Sequence, residues 1–213
     1  LLGTELPVLA FLAFAILPWF WMMLSSIRPE RDLTRSPIVL WPETLTLINH
    51  IELLQRTSFA QNLRDSLIVA VGAVSLGLIL ALPAAYAFSR FRFRGRQVLR
   101  TQFLVINMFP VVMLILPLFV LMRDLGLLDT YLALIGGHAT FTLPFAIWLL
   151  TGYFDGIPVE LDQAAMIDGA TRLQALRLVV FPLAVPGVIA VGLYLFITSW
   201  NEYDEGSGCY AGD

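Results

Sequence analysis

Five windows without a single charged residue dominate this chain: 6–27, 66–89, 101–122, 130–154 and 178–201. Each is longer than the ~20 apolar residues that a helix needs to cross the hydrocarbon core of a bilayer. Lipid offers the backbone no water, so a crossing segment must satisfy its own N–H and C=O groups, and a single segment does so as a helix. The windows therefore predict an all-α, polytopic transmembrane helical bundle with five spans. Composition agrees, since 58% of the 213 residues are hydrophobic and only 14% are charged, which excludes an ordinary soluble domain. No basic region precedes the first window, which is long and aromatic, so it reads as a span and not as a secretory signal. Pro18 is expected to kink it, and Trp19 and Trp21 suit a membrane interface. The chain starts at Leu1, not at Met, so the natural start is expected to be missing.

Arginines set the orientation. The turn after the second window carries Arg90, Arg92, Arg94, Arg96 and Arg100 and no acid. Short loops rich in basic residues stay in the cytoplasm, which places 90–100 inside and, by alternation, 28–65 and 123–129 outside and 153–177 inside. The basic turn reads first as a topogenic signal in contact with lipid headgroups, ahead of a dedicated ligand site. The segment 28–65 begins as loop, with Pro29, Pro37 and Pro42, and then predicts a short surface helix over 46–54. His50 reads as a surface histidine, with contact to a docked protein as the alternative.

Within the spans, Ala73, Gly77, Ala81 and Ala85 recur every four residues and form one small-residue row. Such rows let membrane helices approach closely, and the row fits either an internal packing contact or a contact with another subunit. In the third window Pro110 and Pro117 predict a bent helix, and Asn107 should face protein or water. Asn107 fits a substrate contact or an interhelical hydrogen bond. Span four offers Gly136, Gly137 and His138. His138 has no ligand partners in metal spacing, so it reads as a packing or pathway histidine. Asn107, Pro110 and His138 are the candidate pathway residues. No charged residue lies in any window, which disfavours proton relays and ion pumping and suits a neutral substrate.

Several activities are excluded or weakened. All thirteen basic residues are Arg. A phosphate-binding P-loop needs a Lys, so any ATP hydrolysis belongs to a separate subunit. There is no Gly-x-Ser-x-Gly element, and the chain has two histidines in all, which argues against a Ser–His hydrolase. The single cysteine, Cys209, forms no internal disulfide. No cofactor, metal or nucleic-acid partner is expected.

The polar lobe between the fourth and fifth windows carries the most information. Pro158 suits the first turn of a helix, Glu160 and Asp162 follow where acids favour the helix dipole, and Gly169 ends the helix. Thr171 and Gln174 have capping-box spacing and start a second helix. The run Gln163-Ala164-Ala165, Gly169, Val179, Phe181-Pro182 resembles the signature loop of inner-membrane permease subunits of binding-protein-dependent ABC importers, whose pattern is Glu-Ala-Ala, three residues, Gly, nine residues, Ile, one residue, Leu-Pro. Gln163 departs from the usual Glu. Pro42, Thr46-Leu47, Asn49-His50 and Asn62 resemble the first outer segment of the carbohydrate (maltose-type) branch, and Trp200-Asn201-Glu202 resembles a further family element.

The resemblance covers residues 6–203 and implies one transmembrane domain containing the cytoplasmic lobe 153–180. The polar tail 204–213 is expected to lie outside the fold, and the absent sixth span to reflect a truncated or altered product. The resemblance further implies a multi-pass subunit of the bacterial inner membrane that moves a solute, expected to be a sugar, by alternating access. Expected partners are a second permease subunit, ATP-binding ABC subunits, an extracytoplasmic solute-binding protein and the lipid membrane. The lobe residues expected to meet the ATPase are Glu160, Asp162, Gln163, Ala164, Ala165, Asp168, Gly169 and Ala170. The alternatives are a non-transporting membrane scaffold and a permease for another class of solute.

Overall fold

The computed structural model describes residues 2–29, 32 and 44–201. The Pro-rich stretch around Pro37 and Pro42, together with Glu202 and the tail 204–213, lies outside the described residues. Among those described every regular element is helical, and four helices are long and apolar enough to cross a membrane. Contacts divide the chain into two compact units, Leu1–Arg64 and Asp65–Asp213.

The first unit holds α1 (Leu2–Ser26) and α2 (Ile48–Arg56) and ends within the first turns of α3 (Phe59–Arg90). Helix α1 runs through both Pro7 and Pro18 and exposes apolar side chains along its length, as a helix solvated by lipid does. Its end is tied to the segment entering α2. The Thr46 N–H donates to the Ile27 carbonyl at 2.9 Å, and Asn49 Nδ2 donates to the carbonyls of Ser26 and Arg28 at 3.1 and 2.6 Å.

The second unit is a bundle. After α3 come α4 (Arg96–Ile106), α5 (Val112–Asp124), α6 (Tyr131–Asp155), α7 (Val159–Ile167) and α8 (Arg172–Ala175). A π turn (Leu176–Val180) leads from α8 into α9 (Phe181–Asn201). Its core lies between α3, α6 and α9, where Ala81, Ala85, Leu150, Phe154, Val191 and Leu195 are almost wholly buried. The small-residue row of α3 faces this core. A Cβ on Gly77 would stand 3.0 Å from Leu195 Cδ1 on α9, so the row serves close packing inside this chain. Gly187 of α9 sits directly against the Tyr153 ring, and Gly137 of α6 against Leu118 of α5.

The third window departs from the bent span expected over 101–122. It is two helices, α4 and α5, separated by a break at 107–111. Pro110 has no N–H to give to the Ile106 carbonyl, and its ring disfavours helical backbone at Phe109. Asn107 closes α4 by donating from Nδ2 to the Phe103 carbonyl at 2.7 Å. Neither helix alone reaches the length of a crossing.

Candidate functional site: the polar lobe and its clasp

The lobe begins where α6 ends. Pro158 caps α7 and sits just outside its first turn, and Gly169 takes the left-handed backbone that glycine reaches without a Cβ clash, with φ of +89°. The turn is a full Schellman motif. The Ala170 N–H reaches the Ala165 carbonyl at 3.0 Å and the Gly169 N–H reaches the Met166 carbonyl at 3.1 Å, which satisfies the last carbonyls of α7. Thr171 and Gln174 then form the expected capping box. The π turn follows, with the Phe181 N–H on the Leu176 carbonyl, immediately ahead of Pro182, which has no N–H of its own.

Electrostatics fix the lobe to the end of α3. Arg90 and Asp162 form an ion pair at 2.7 Å, with side chains only 6% and 5% exposed. The Asp162 carboxylate also accepts from Tyr86 Oη at 2.7 Å. The rest of the Arg90 guanidinium donates to the carbonyls of Phe154 and Ile157, at 3.1 and 2.9 Å, and so caps the last turn of α6. Every charge in this group is paired and hydrogen-bonded, as burial demands. A second cluster joins the ends of α3 and α6 to α4. Asp155 accepts from Ser89 Oγ at 2.8 Å and from Arg100 at 2.9 Å, with Arg96 at 3.8 Å. Arg172 of α8 lies over the Phe91 ring, 5.0 Å from its centre.

The basic turn and the lobe therefore stand at one end of the bundle. Three of its five arginines are structural, while Arg92 and Arg94 remain exposed. Sequence reasoning took the turn as a signal for orientation and missed this clasp, including Tyr86 and Asp155. The usable signal was a pair of acids, Asp155 and Asp162, in a loop on the same side as an acid-free arginine cluster.

The expected contact residues separate into two groups. Glu160, Gln163, Ala164, Asp168 and Gly169 are exposed, and Ala165 and Ala170 are half-buried. Asp162 instead turns inward onto Arg90. An open groove runs between α7 and the α8–π-turn segment, lined by Leu161, Ala164, Ala165, Gln174 and Leu178. Two large apolar side chains that sequence reasoning did not single out, Ile167 and Leu173, are 86% and 73% exposed on this polar lobe. Of the candidate pathway residues, His138 is buried in α6, while Asn107 and Pro110 are exposed at the break between α4 and α5.

The apolar helices and the polar lobe together are those of a multi-pass membrane protein. The chain belongs to the family of binding-protein-dependent transport system inner membrane components, whose family model matches residues 73–208. It is 36% identical over 204 residues to the inner membrane ABC transporter permease protein YcjP of Escherichia coli, covering 95% of this chain and 73% of that one. It is 36% identical over 189 residues to the trehalose transport system permease protein SugB of Mycobacterium tuberculosis, covering 89% and 68%. Among solved structures it resembles a chain of a bacterial ABC transporter involved in the import of the acidic polysaccharide alginate, with a TM-score of 0.82, 30% identity, and 94% and 70% of the two chains covered. It is thus an inner-membrane permease, a transport subunit.

Proposed function

We infer that this permease carries a sugar across the membrane and takes its power stroke through the 158–177 lobe. The reading of the lobe rests on one observation: a polar segment outside the apolar windows exposes Ile167 and Leu173, and on the same lobe Ala164 and Ala165 line an open groove. Exposed apolar surface of this kind marks a protein contact, and the small alanines let a partner come close. The partner is a separate ATP-hydrolysing subunit, since this chain has no Lys for a P-loop. Glu160, Gln163, Ala164, Ala165, Asp168, Gly169 and Ala170 form or shape the contact surface. Asp162 has a different role and holds α7 to α3 through Arg90.

Movement of α7 reaches the bundle by two routes, the clasp into α3 and the π turn into α9. With a second permease subunit and an extracytoplasmic binding protein, the spans alternate between inward-open and outward-open states. Helices α4 and α5 together make the third crossing of five, and irregular backbone such as the break at 107–111 is tolerated at membrane depth where it faces protein or a water-filled cavity. The sugar assignment rests on relatives such as the trehalose permease. The alginate importer handles an acidic polysaccharide, so the uncharged spans of this chain do not by themselves require a neutral sugar.

The test is purification with the neighbouring subunits, followed by solute-stimulated ATPase and uptake assays across neutral and acidic sugars, amino acids and peptides. Stimulation by an amino acid or peptide with none by any sugar overturns the substrate class. Ala165→Glu should place bulk and a charge in the contact. Normal uptake and normal ATPase co-purification in that variant would remove the lobe from the coupling path.

A further inference from the structure

Helix α2 combines two features that the transport reading does not use. Leu47, Ile51 and Leu54, spaced four and three residues apart, share one face and are all exposed. The opposite face carries Asn49, Glu52 and Arg56. Asn49 is hydrogen-bonded to the carbonyls of Ser26 and Arg28, and Glu52 and Arg56 pair at 3.3 Å in the open. The apolar face therefore points away from the part of the chain that holds the helix. Its level is also fixed. Ser26 ends α1, and Arg28 is the first charged residue after the charge-free window 6–27, so the anchoring carbonyls stand at the membrane interface. Arg28 itself packs its guanidinium over Trp21, 4.9 Å from the ring centre, an arrangement suited to the same layer.

We propose that α2 is an interfacial helix whose Leu47–Ile51–Leu54 face is covered by the lipid of the leaflet that surrounds the end of α1. A short helix with one apolar and one charged face lies in the interface plane with its apolar side among the first acyl carbons. The occupant is lipid because the anchor holds this face at bilayer level, in continuity with the exposed apolar surface of α1. Pinned in this way, the helix keeps its own apolar residues out of water. The proposal is independent of the coupling role of the lobe.

Spin labelling tests it. In a Cys209→Ser background, Leu47→Cys, Ile51→Cys and Leu54→Cys probe one face and Glu52→Cys and Arg56→Cys the other. Each nitroxide-labelled full-length chain is reconstituted into phosphatidylethanolamine–phosphatidylglycerol vesicles, and its collision rates with oxygen and with a water-soluble nickel chelate are measured. Oxygen should dominate at 47, 51 and 54, and the nickel chelate at 52 and 56. Dominance of the nickel chelate at all five positions would overturn the proposal by putting the helix in water. Labels at 47, 51 and 54 that are immobile and closed to both reagents would overturn it in favour of a protein contact. Using five positions keeps the result independent of any one substitution that disturbs the helix.

Discussion

Removing Arg90 should release α7 from the bundle. The guanidinium serves Asp162 and the carbonyls of Phe154 and Ile157 at once, in a site where both charged side chains are almost fully enclosed. Deleting one partner of a buried ion pair costs about 3–5 kcal/mol, because the other charge is left buried and unpaired. At about 1.4 kcal/mol per decade, Arg90→Leu should raise the fraction of open, detached α7 by roughly 10² to several times 10³, up to the limit set by the lobe's present local stability. Tyr86→Phe removes a single bond to a charged acceptor and should cost about 1.5–3 kcal/mol. Arg90→Lys should not rescue, since an ammonium has no planar fork with which to span a carboxylate and two carbonyls. The double variant Arg90→Leu/Asp162→Leu leaves no orphan charge, so its cost should fall below the sum of the single changes by more than about 1 kcal/mol. Amide hydrogen exchange over 159–168 in the full-length chain measures this opening, and insertion into the membrane should be unchanged. Single-variant costs that add to within about 0.5 kcal/mol, or exchange over α7 that Arg90→Leu does not alter, would refute the clasp.

The other predictions are shorter. A Cβ at Gly169 would meet no atom within 4 Å, so the cost argued for Gly169→Val is the backbone strain at φ +89°, about 1–3 kcal/mol; the expected result is normal membrane level with lost uptake, and unchanged uptake would count against a coupling role. Gly187→Val drives a side chain into the Tyr153 ring and should cost about 1–3 kcal/mol, read as a lower melting temperature in detergent. With Cys209 replaced, a cysteine at Arg94 should be closed to an impermeant thiol reagent in intact cells and one at His50 open to it; labelling at Arg94 from outside would invert the topology.

The four long spans were legible because lipid leaves a charge-free segment of that length one good backbone conformation. Their ends were less so. Helix α3 starts at Phe59 and runs over Gln61, Asn62, Arg64 and Asp65, ahead of the charge-free window that begins at 66, because a helix started in the bilayer costs little to extend into the headgroup layer. The third window shows how a hydropathy pattern and its backbone can separate. Apolar composition ran unbroken through 101–122, yet one missing N–H at Pro110 divided the helix. Composition reports where a segment is soluble, and the hydrogen-bond ladder decides whether it is continuous.

At the lobe the division falls between local and distant chemistry. Gly169 and the Thr171–Gln174 box were readable because their partners lie within a few residues, so spacing alone specifies the bonds. The arginine turn was not, because a guanidinium that faces lipid phosphate and one that faces a carboxylate are written with the same residue. Arg90 finds Asp162 seventy-two positions along the chain, and nothing short of the packed bundle brings them together. The same argument reassigns Asp162. Its place in the first turn of α7 fits the helix dipole in any context, but burial beside Arg90 gives it the stronger partner and takes it off the surface. A residue predicted to meet the ATPase thus holds α7 to α3 instead, and in the proposed coupling path it would pass on the movement of α7. A substitution at Asp162 should disturb the coupling of hydrolysis to uptake more than the docking of the subunit, whereas Ala165→Glu should disturb docking first. Co-purification of the ATPase with each variant, set beside its uptake, separates the two roles, and loss of docking in Asp162→Asn with its α7 exchange unchanged would return that residue to the surface.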